Sequence, residues 1–236
     1  MNHVDKHQGF TLIELMLSMA FLSVLLIAIA MTVIQIGSIY NRGLTLKDVN
    51  QAGGALASEL QRTIANSSSF DVTVGGIGSQ YIVQDWGGRL CLGQYSYIWN
   101  YGKAIQIGDE ARLNLYSNSD NRIRFIKVAD SNSIYCTETA KKVDINNAVE
   151  LLGAGEHDLA IHDFKINTEP TAGDNKTGQY LYSLSFVVGT NEQNALNYGA
   201  GIGNVACKPP SEEGSDPAYC LINQFSVVAR AGNTIQ

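Results

Sequence analysis

Gly9-Phe10-Thr11-Leu12-Ile13-Glu14-Leu15 opens an apolar run, residues 15–36, that holds no Lys, Arg, His, Asp or Glu. Its 22 residues slightly exceed the roughly 20 that a helix needs to cross a hydrocarbon core about 30 Å thick. One acid, Glu14, stands at its head. An ionised carboxylate inside a spanning helix costs on the order of 2.5–3.5 kcal/mol, less near the interface. Such a group calls for a partner, and a cation is the obvious one. The plainer alternative is an unpaired Glu at headgroup level.

Working outward, no Pro precedes Pro170, so the helix that begins at Phe10 need not stop at the membrane face. Leu46, Val49, Gly53, Leu56, Leu60 and Ile64 recur at spacings of three and four, and Lys47, Asp48, Asn50, Gln51, Ser58, Glu59 and Arg62 fill the other faces. That is the period of an amphipathic helix. Asn66-Ser67-Ser68-Ser69 breaks it, because such side chains compete for the backbone. The reading is one helix over residues 10–66, with a spanning segment at about 15–36 and a total length of about 84 Å at 1.5 Å per residue. Gly37, Gly43, Gly53 and Gly54 are its weak points, each costing up to about 1 kcal/mol relative to Ala.

Beyond Phe70 the texture turns to β. Gly75-Gly76-Ile77-Gly78 reads as a loop. Strands are expected at 81–84, 89–92, 96–101, 112–116, 122–128, 133–137, 159–166, 180–188 and 221–228, with 149–153 ambiguous. Tyr182, Leu184, Phe186 and Val188 alternate, as a half-buried antiparallel strand requires. Residues 189–215 are polar and Gly-rich and carry Pro209-Pro210; they read as a long loop held by Cys207 and Cys220. The fold class is therefore α+β. A short polar segment, 1–9, precedes the long helix, which packs on one antiparallel β-sheet domain, 67–236.

The four cysteines, Cys91, Cys136, Cys207 and Cys220, all lie beyond the apolar run. An even count there points to an oxidising compartment and two disulfides, for which three connectivities exist. The pairing Cys91–Cys136 with Cys207–Cys220 is favoured. The competing zinc reading needs a short Cys-x-x-Cys or a neighbouring His, and the sequence has neither.

The formal net charge of −6 argues against nonspecific nucleic-acid binding, which rests on Lys and Arg neutralising phosphates. Asp5 and Lys6 cancel, so losing residues 1–9 leaves the balance unchanged.

Little else looks chemical. His3 and His7 fall in the leading segment, and His157 and His162, five apart, would face opposite sides of one strand. Neither a Gly-x-Ser-x-Gly elbow nor a phosphate loop occurs. Gly199-Ala200-Gly201-Ile202-Gly203 has no helix to follow it, so no cofactor is expected. Glu212, Glu213 and Asp216 could offer carboxylates to Ca²⁺, although a solvated acidic loop is the simpler reading. Tyr95, Tyr97, Trp99 and Tyr101 alternate along one strand, either as core or as a glycan-stacking face.

The stretch Gly9-Phe10-Thr11-Leu12-Ile13-Glu14-Leu15-Met16 resembles the processing and assembly motif of type IV pilin-like proteins. The resemblance implies cleavage between Gly9 and Phe10 by a prepilin peptidase, N-methylation of Phe10, and a role for Glu14 in assembly with other pilins through the N-terminal helix. It also implies a cytoplasmic N-terminus before processing, a lipid bilayer as first host, and an inner-membrane assembly platform as partner. The finished product is an extracellular pilus or a periplasmic pseudopilus. Glu150-Leu151-Leu152-Gly153, Asp158-Leu159-Ala160-Ile161 and Phe225-Ser226-Val227-Val228-Ala229-Arg230 resemble PilW-like minor pilins and the J-type pseudopilins of secretion systems. On that likeness the function is a minor pilin that enters or primes a filament, with a type II secretion pseudopilin or a pilus-borne adhesin as alternatives, and no enzymatic activity. A retained acid at Glu14 implies a place with a neighbour rather than the extreme tip.

Overall fold

A computed structural model describes residues 11–73, 79–137, 142–153, 157–169, 179–199 and 203–232. The long helix, α1, runs over Leu12–Ala65 without a break, about 81 Å at the usual rise. Thr11 caps its start and Asn66 its end, where the Asn66 N–H bonds back to the Arg62 carbonyl. The expected helix end is therefore met at the Asn-Ser-Ser-Ser break. The Gly75–Gly78 loop lies outside the described residues.

Two antiparallel sheets follow, so the chain is α+β. The first is a meander of β1 (Tyr81–Gln84), β2 (Gly87–Cys91), β3 (Tyr95–Asn100), β4 (Phe125–Ala129) and β5 (Ala148–Glu150), paired in that order. A short helix, α2 (Gly102–Ile107), leaves β3, and α3 (Ile134–Thr137) follows β4. The second sheet sets β7 (Tyr180–Thr190) between β6 (Leu159–Thr168) and β10 (Ile222–Ala231). A two-stranded ribbon of β8 (Leu196–Tyr198) and β9 (Val205–Cys207) stands apart. One parallel bridge, Tyr101 to Ile161, joins the sheets.

The C-terminal half of α1 lies across β10 and β7. Its stripe of Val49, Leu56, Leu60 and Ile64 is fully buried, and the core it closes includes Trp99, Phe125, Phe164, Tyr182 and Phe186. Aromatic rings run through that core in contact. Trp99 lies 4.6 Å from Phe164 and 5.6 Å from Phe125 between centroids, and Phe186 lies 5.6 Å from Phe225, within the range where ring pairs attract beyond their area burial. Tyr97, Trp99 and Tyr101 are all buried, so most of the aromatic ladder is core.

Gly53 is more than a weak point. A Cβ there would overlap the Phe225 ring, so the glycine lets β10 approach the helix. At Gly37, Gly43 and Gly54 nothing lies within 4 Å of a built Cβ.

Four local expectations need correction. Residues 133–137 form helix α3 rather than a strand. Both Asp130 carboxylate oxygens accept backbone N–H bonds, from Ile134 at 2.9 Å and Tyr135 at 3.1 Å, and Ser96 donates to the same group. This cap overrides the β-favouring Ile-Tyr-Cys-Thr. Residues 112–116 form no strand; Leu115 and Tyr116 make only isolated bridges, and the Asn114 backbone and side chain are held by Asn100 and Trp99 instead. Helix α2 was not foreseen. The segment 189–215 is partly ordered by β8, β9 and the last residues of β7, not by its disulfide alone.

Candidate functional site

Thr11 and Glu14 form a capping box at the start of α1. Thr11 Oγ1 accepts from the Glu14 N–H at 3.3 Å, while Glu14 Oε2 accepts from the Thr11 N–H at 3.0 Å and from the Thr11 hydroxyl at 2.9 Å. Two of the backbone donors that every helix start leaves unpaired are thereby satisfied. The carboxylate is held folded back over the helix terminus, beside the peptide unit that follows Phe10. Phe10 and Gly9 themselves lie outside the described residues. The role of Thr11 went unread in the sequence, although Thr-x-x-Glu ahead of an apolar run carries that signal.

Every residue from 11 to 40 is exposed. The helix is long and apolar enough to cross a membrane. Three of its hydroxyls return to their own backbone: Ser18 donates to the Leu15 carbonyl at 2.9 Å, Ser23 to Met19 at 2.8 Å and Thr32 to Ala28 at 2.9 Å. In hydrocarbon, where water cannot serve these groups, that local bonding is what makes them tolerable.

The head first grips the helix at Asn41. Asn41 Nδ2 donates to Tyr219 Oη at 2.7 Å, and Thr45 Oγ1 donates to the Ala218 carbonyl at 3.1 Å. His157 reaches both Thr45, at 3.2 Å, and Asp48, at 2.8 Å. This polar collar separates the bare half of α1 from the seated half. It includes Ala218 and Tyr219, at the base of the loop that Cys207 and Cys220 close, their Cα atoms 5.8 Å apart. The other disulfide joins Cys91 at the end of β2 to Cys136 on α3, with Cα atoms 6.2 Å apart.

Glu212, Glu213 and Asp216 are not gathered into a carboxylate cluster. Glu212 accepts from Asn197 at 2.8 Å, the Glu213 backbone carbonyl accepts from Lys208 at 3.1 Å, and Asp216 accepts from the Ala218 and Tyr219 amides. Among the described residues no group of His, Cys, Asp and Glu is placed to hold a metal ion. His162 is buried in β6, away from the collar that holds His157.

A family model described as the prokaryotic N-terminal methylation motif matches residues 5–34. That stretch includes Gly9, Phe10, the capping box and most of the apolar run. It supports a substrate of prepilin peptidase of the type IV pilin or pseudopilin kind, assembling with other pilins. The long apolar N-terminal helix followed by antiparallel sheets is a pilin-like architecture. No curated protein and no solved structure matches the chain.

Proposed function

We propose, starting from a prepilin-type methylation motif at residues 5–34, that this chain is a minor type IV pilin. In this reading the peptidase cuts between Gly9 and Phe10, the new amine is methylated, and the bare half of α1 moves from the bilayer into the filament. The observation that carries the reading is the juxtaposition at the helix start. Glu14 is fixed in the first turn of α1 by Thr11, and 26 exposed residues follow it, a surface that lipid or neighbouring helices must cover. Cleavage at Gly9 places a cation four residues from this carboxylate. At about 4 Å and an effective dielectric near 20, the amine of one subunit and the Glu14 of the next attract by about 4 kcal/mol before desolvation. The chain length and the lack of Pro in the spanning half support a minor subunit over a bulk one. The head carries no assigned catalytic step.

Mass spectrometry of filaments from the native host tests the assignment: the expected signal is a peptide beginning with methylated Phe10, at low stoichiometry. A chain recovered with Met1 intact from its working assembly overturns it, and recovery from a secretion pseudopilus alone moves it to the pseudopilin class. Two variants test the chemistry. Glu14→Ala is expected to be cleaved and inserted yet poorly incorporated. Glu14→Gln keeps the capping hydrogen bonds, since Gln serves that position as well as Glu, but removes the charge. Equal loss of incorporation in both supports charge pairing; rescue by Gln assigns Glu14 to helix capping alone.

A further inference from the structure

One end of the head faces the bare half of α1, and strand direction shows which. α1 and β10 run the same way. Asn223 Nδ2 donates to Asn50 Oδ1 at 2.8 Å, Gly53 faces Phe225, Gln61 Nε2 donates to the Val228 carbonyl at 3.0 Å, and the Gly232 N–H donates to the Ser67 carbonyl at 3.0 Å. The start of β10 therefore lies nearest the bare half. β7 pairs antiparallel with both neighbours, Gly189 opposite Ile222 and Thr190 opposite Leu159, so the end of β7 and the start of β6 lie there too. The segment joining β7 to β10 carries the β8–β9 ribbon and the loop that Cys207 and Cys220 close. It hangs from that end as a foot, and the collar ties it to α1 through Ala218 and Tyr219.

Helix length sets the height of the foot. The apolar run ends at Ile36, five residues before Asn41, a rise of about 7.5 Å. The headgroup layer on each side of the hydrocarbon core is roughly 5–7 Å thick. A collar at Asn41 thus lies at the outer edge of that layer. Two tyrosines stand open there: Tyr40 is 65% exposed and Tyr219 is 41% exposed. The Tyr219 hydroxyl accepts from Asn41, while helical side chains such as Tyr40 lean toward the N-terminus, here toward the span. Tyrosine, apolar in its ring and polar at its tip, is enriched at this depth.

We infer that the foot is a second membrane contact, with Tyr40, Tyr219 and the turn at Pro217 resting in the headgroup layer of zwitterionic lipid. The head then stands on the bilayer rather than above it. Charge decides the lipid class. Residues 190–221 carry four acids, Glu192, Glu212, Glu213 and Asp216, against one base, Lys208. An anionic leaflet draws in basic segments and repels an acidic one, whereas a zwitterionic leaflet sets no such penalty. Arg42, exposed one residue beyond Tyr40 and Asn41, can still pair with a headgroup phosphate. The inference rests on the bare half of α1 being a membrane span, and deepens that reading by giving the head a lipid-facing surface of its own.

All four cysteines are paired, so an added cysteine is the single free thiol and takes one nitroxide label. Full-length chains carrying Ile27→Cys, Pro217→Cys or Ser68→Cys are reconstituted at high lipid-to-protein ratio in phosphatidylcholine vesicles. Collision of the label with oxygen, which partitions into lipid, is compared with collision with a water-soluble nickel chelate. Position 27 lies in the bare half and position 68 just past the far end of α1. The oxygen-to-nickel ratio at 217 is expected to be severalfold above that at 68 and below that at 27. Replacing half of the lipid with phosphatidylglycerol should lower the ratio at 217. Tyr219→Ala should lower it too, whereas Tyr219→Phe, which keeps the ring and loses only the Asn41 bond, should preserve it. A ratio at 217 equal to that at 68, with 27 still in hydrocarbon, overturns the foot and leaves the span standing; 27 in water overturns both. Shielding of 217 from oxygen and nickel alike assigns the surface to a second copy and overturns the inference, as do equal ratios in the two Tyr219 variants. An unchanged ratio with phosphatidylglycerol overturns the choice of zwitterionic lipid.

Discussion

The two halves of α1 are one unbroken helix in two different solvents. From 11 to 40 every residue is exposed, and the apolar side chains point in all directions. From Asn41 onward the same backbone carries a single buried stripe, with polar residues on the remaining faces. Leu22 and Leu60 are chemically alike, yet Leu22 is 55% exposed and Leu60 is fully buried. Hydrophobicity alone therefore does not say what a leucine contributes. In the seated half it stabilises the head; in the bare half its stabilisation is deferred until lipid or another subunit covers it. The polar collar of Asn41, Thr45 and Asp48 marks the change of solvent.

The largest test of this contrast compares two leucines. Leu60→Ala empties a site in the main core and should destabilise the head by about 2–5 kcal/mol. Leu22→Ala should leave the denaturation midpoint within roughly 0.5 kcal/mol of the parent, because no contact of the head is lost. Urea or thermal unfolding of the full chain in detergent measures both. Equal losses would show that the bare half is coupled to the head after all.

The contrast was largely legible in the sequence, because both halves rest on local periodicity: an uninterrupted apolar run for one, a three-and-four spacing for the other. The long strands β7 and β10 were legible for the same reason. What escaped depended on contacts between distant residues. Helix α3 starts where Asp130 turns back to cap it, and a short β-like string gives no hint of that. Helix α2 has six residues, too few for a helical period to show. The methylation motif is a continuous stretch and could be read directly, whereas the collar joins Asn41 and Thr45 to Tyr219 and His157, 178 and 112 residues away. Gly53 and Gly54 make the point at one peptide bond. They look interchangeable in sequence, but only Gly53 faces Phe225. Gly53→Ala should therefore cost about 1–3 kcal/mol by overpacking, while Gly54→Ala should gain up to about 1 kcal/mol from helix propensity. The same unfolding assay separates them, and a shift of the same sign in both would remove the close approach of β10 as the reason for Gly53.

The smallest effect concerns charge, which the two halves use differently. The bare half has Glu14 as its one charged residue, whereas the seated half ties itself to the first sheet through Glu59. Lys127 Nζ and Arg62 each lie 2.6 Å from its carboxylate oxygens, and Tyr97 Oη donates to the neighbouring Thr63 at 2.7 Å. Burial pushes the Glu59 pKa up, but the bonds and charges of Lys127 and Arg62 outweigh it, so it ends below its ordinary value of 4.5. A depressed carboxyl pKa stabilises the folded state at pH values above the unfolded pKa, and that contribution disappears as pH falls through the folded one. Glu59→Gln should thus lower stability at pH 7 by about 1 kcal/mol, the upper end for a partly exposed pair. The difference from the parent should shrink as the pH is taken below about 4.5. Melting curves of parent and variant that stay parallel through this range would mean that Glu59 holds the helix to the sheet by shape and hydrogen bonding, with its charge contributing nothing.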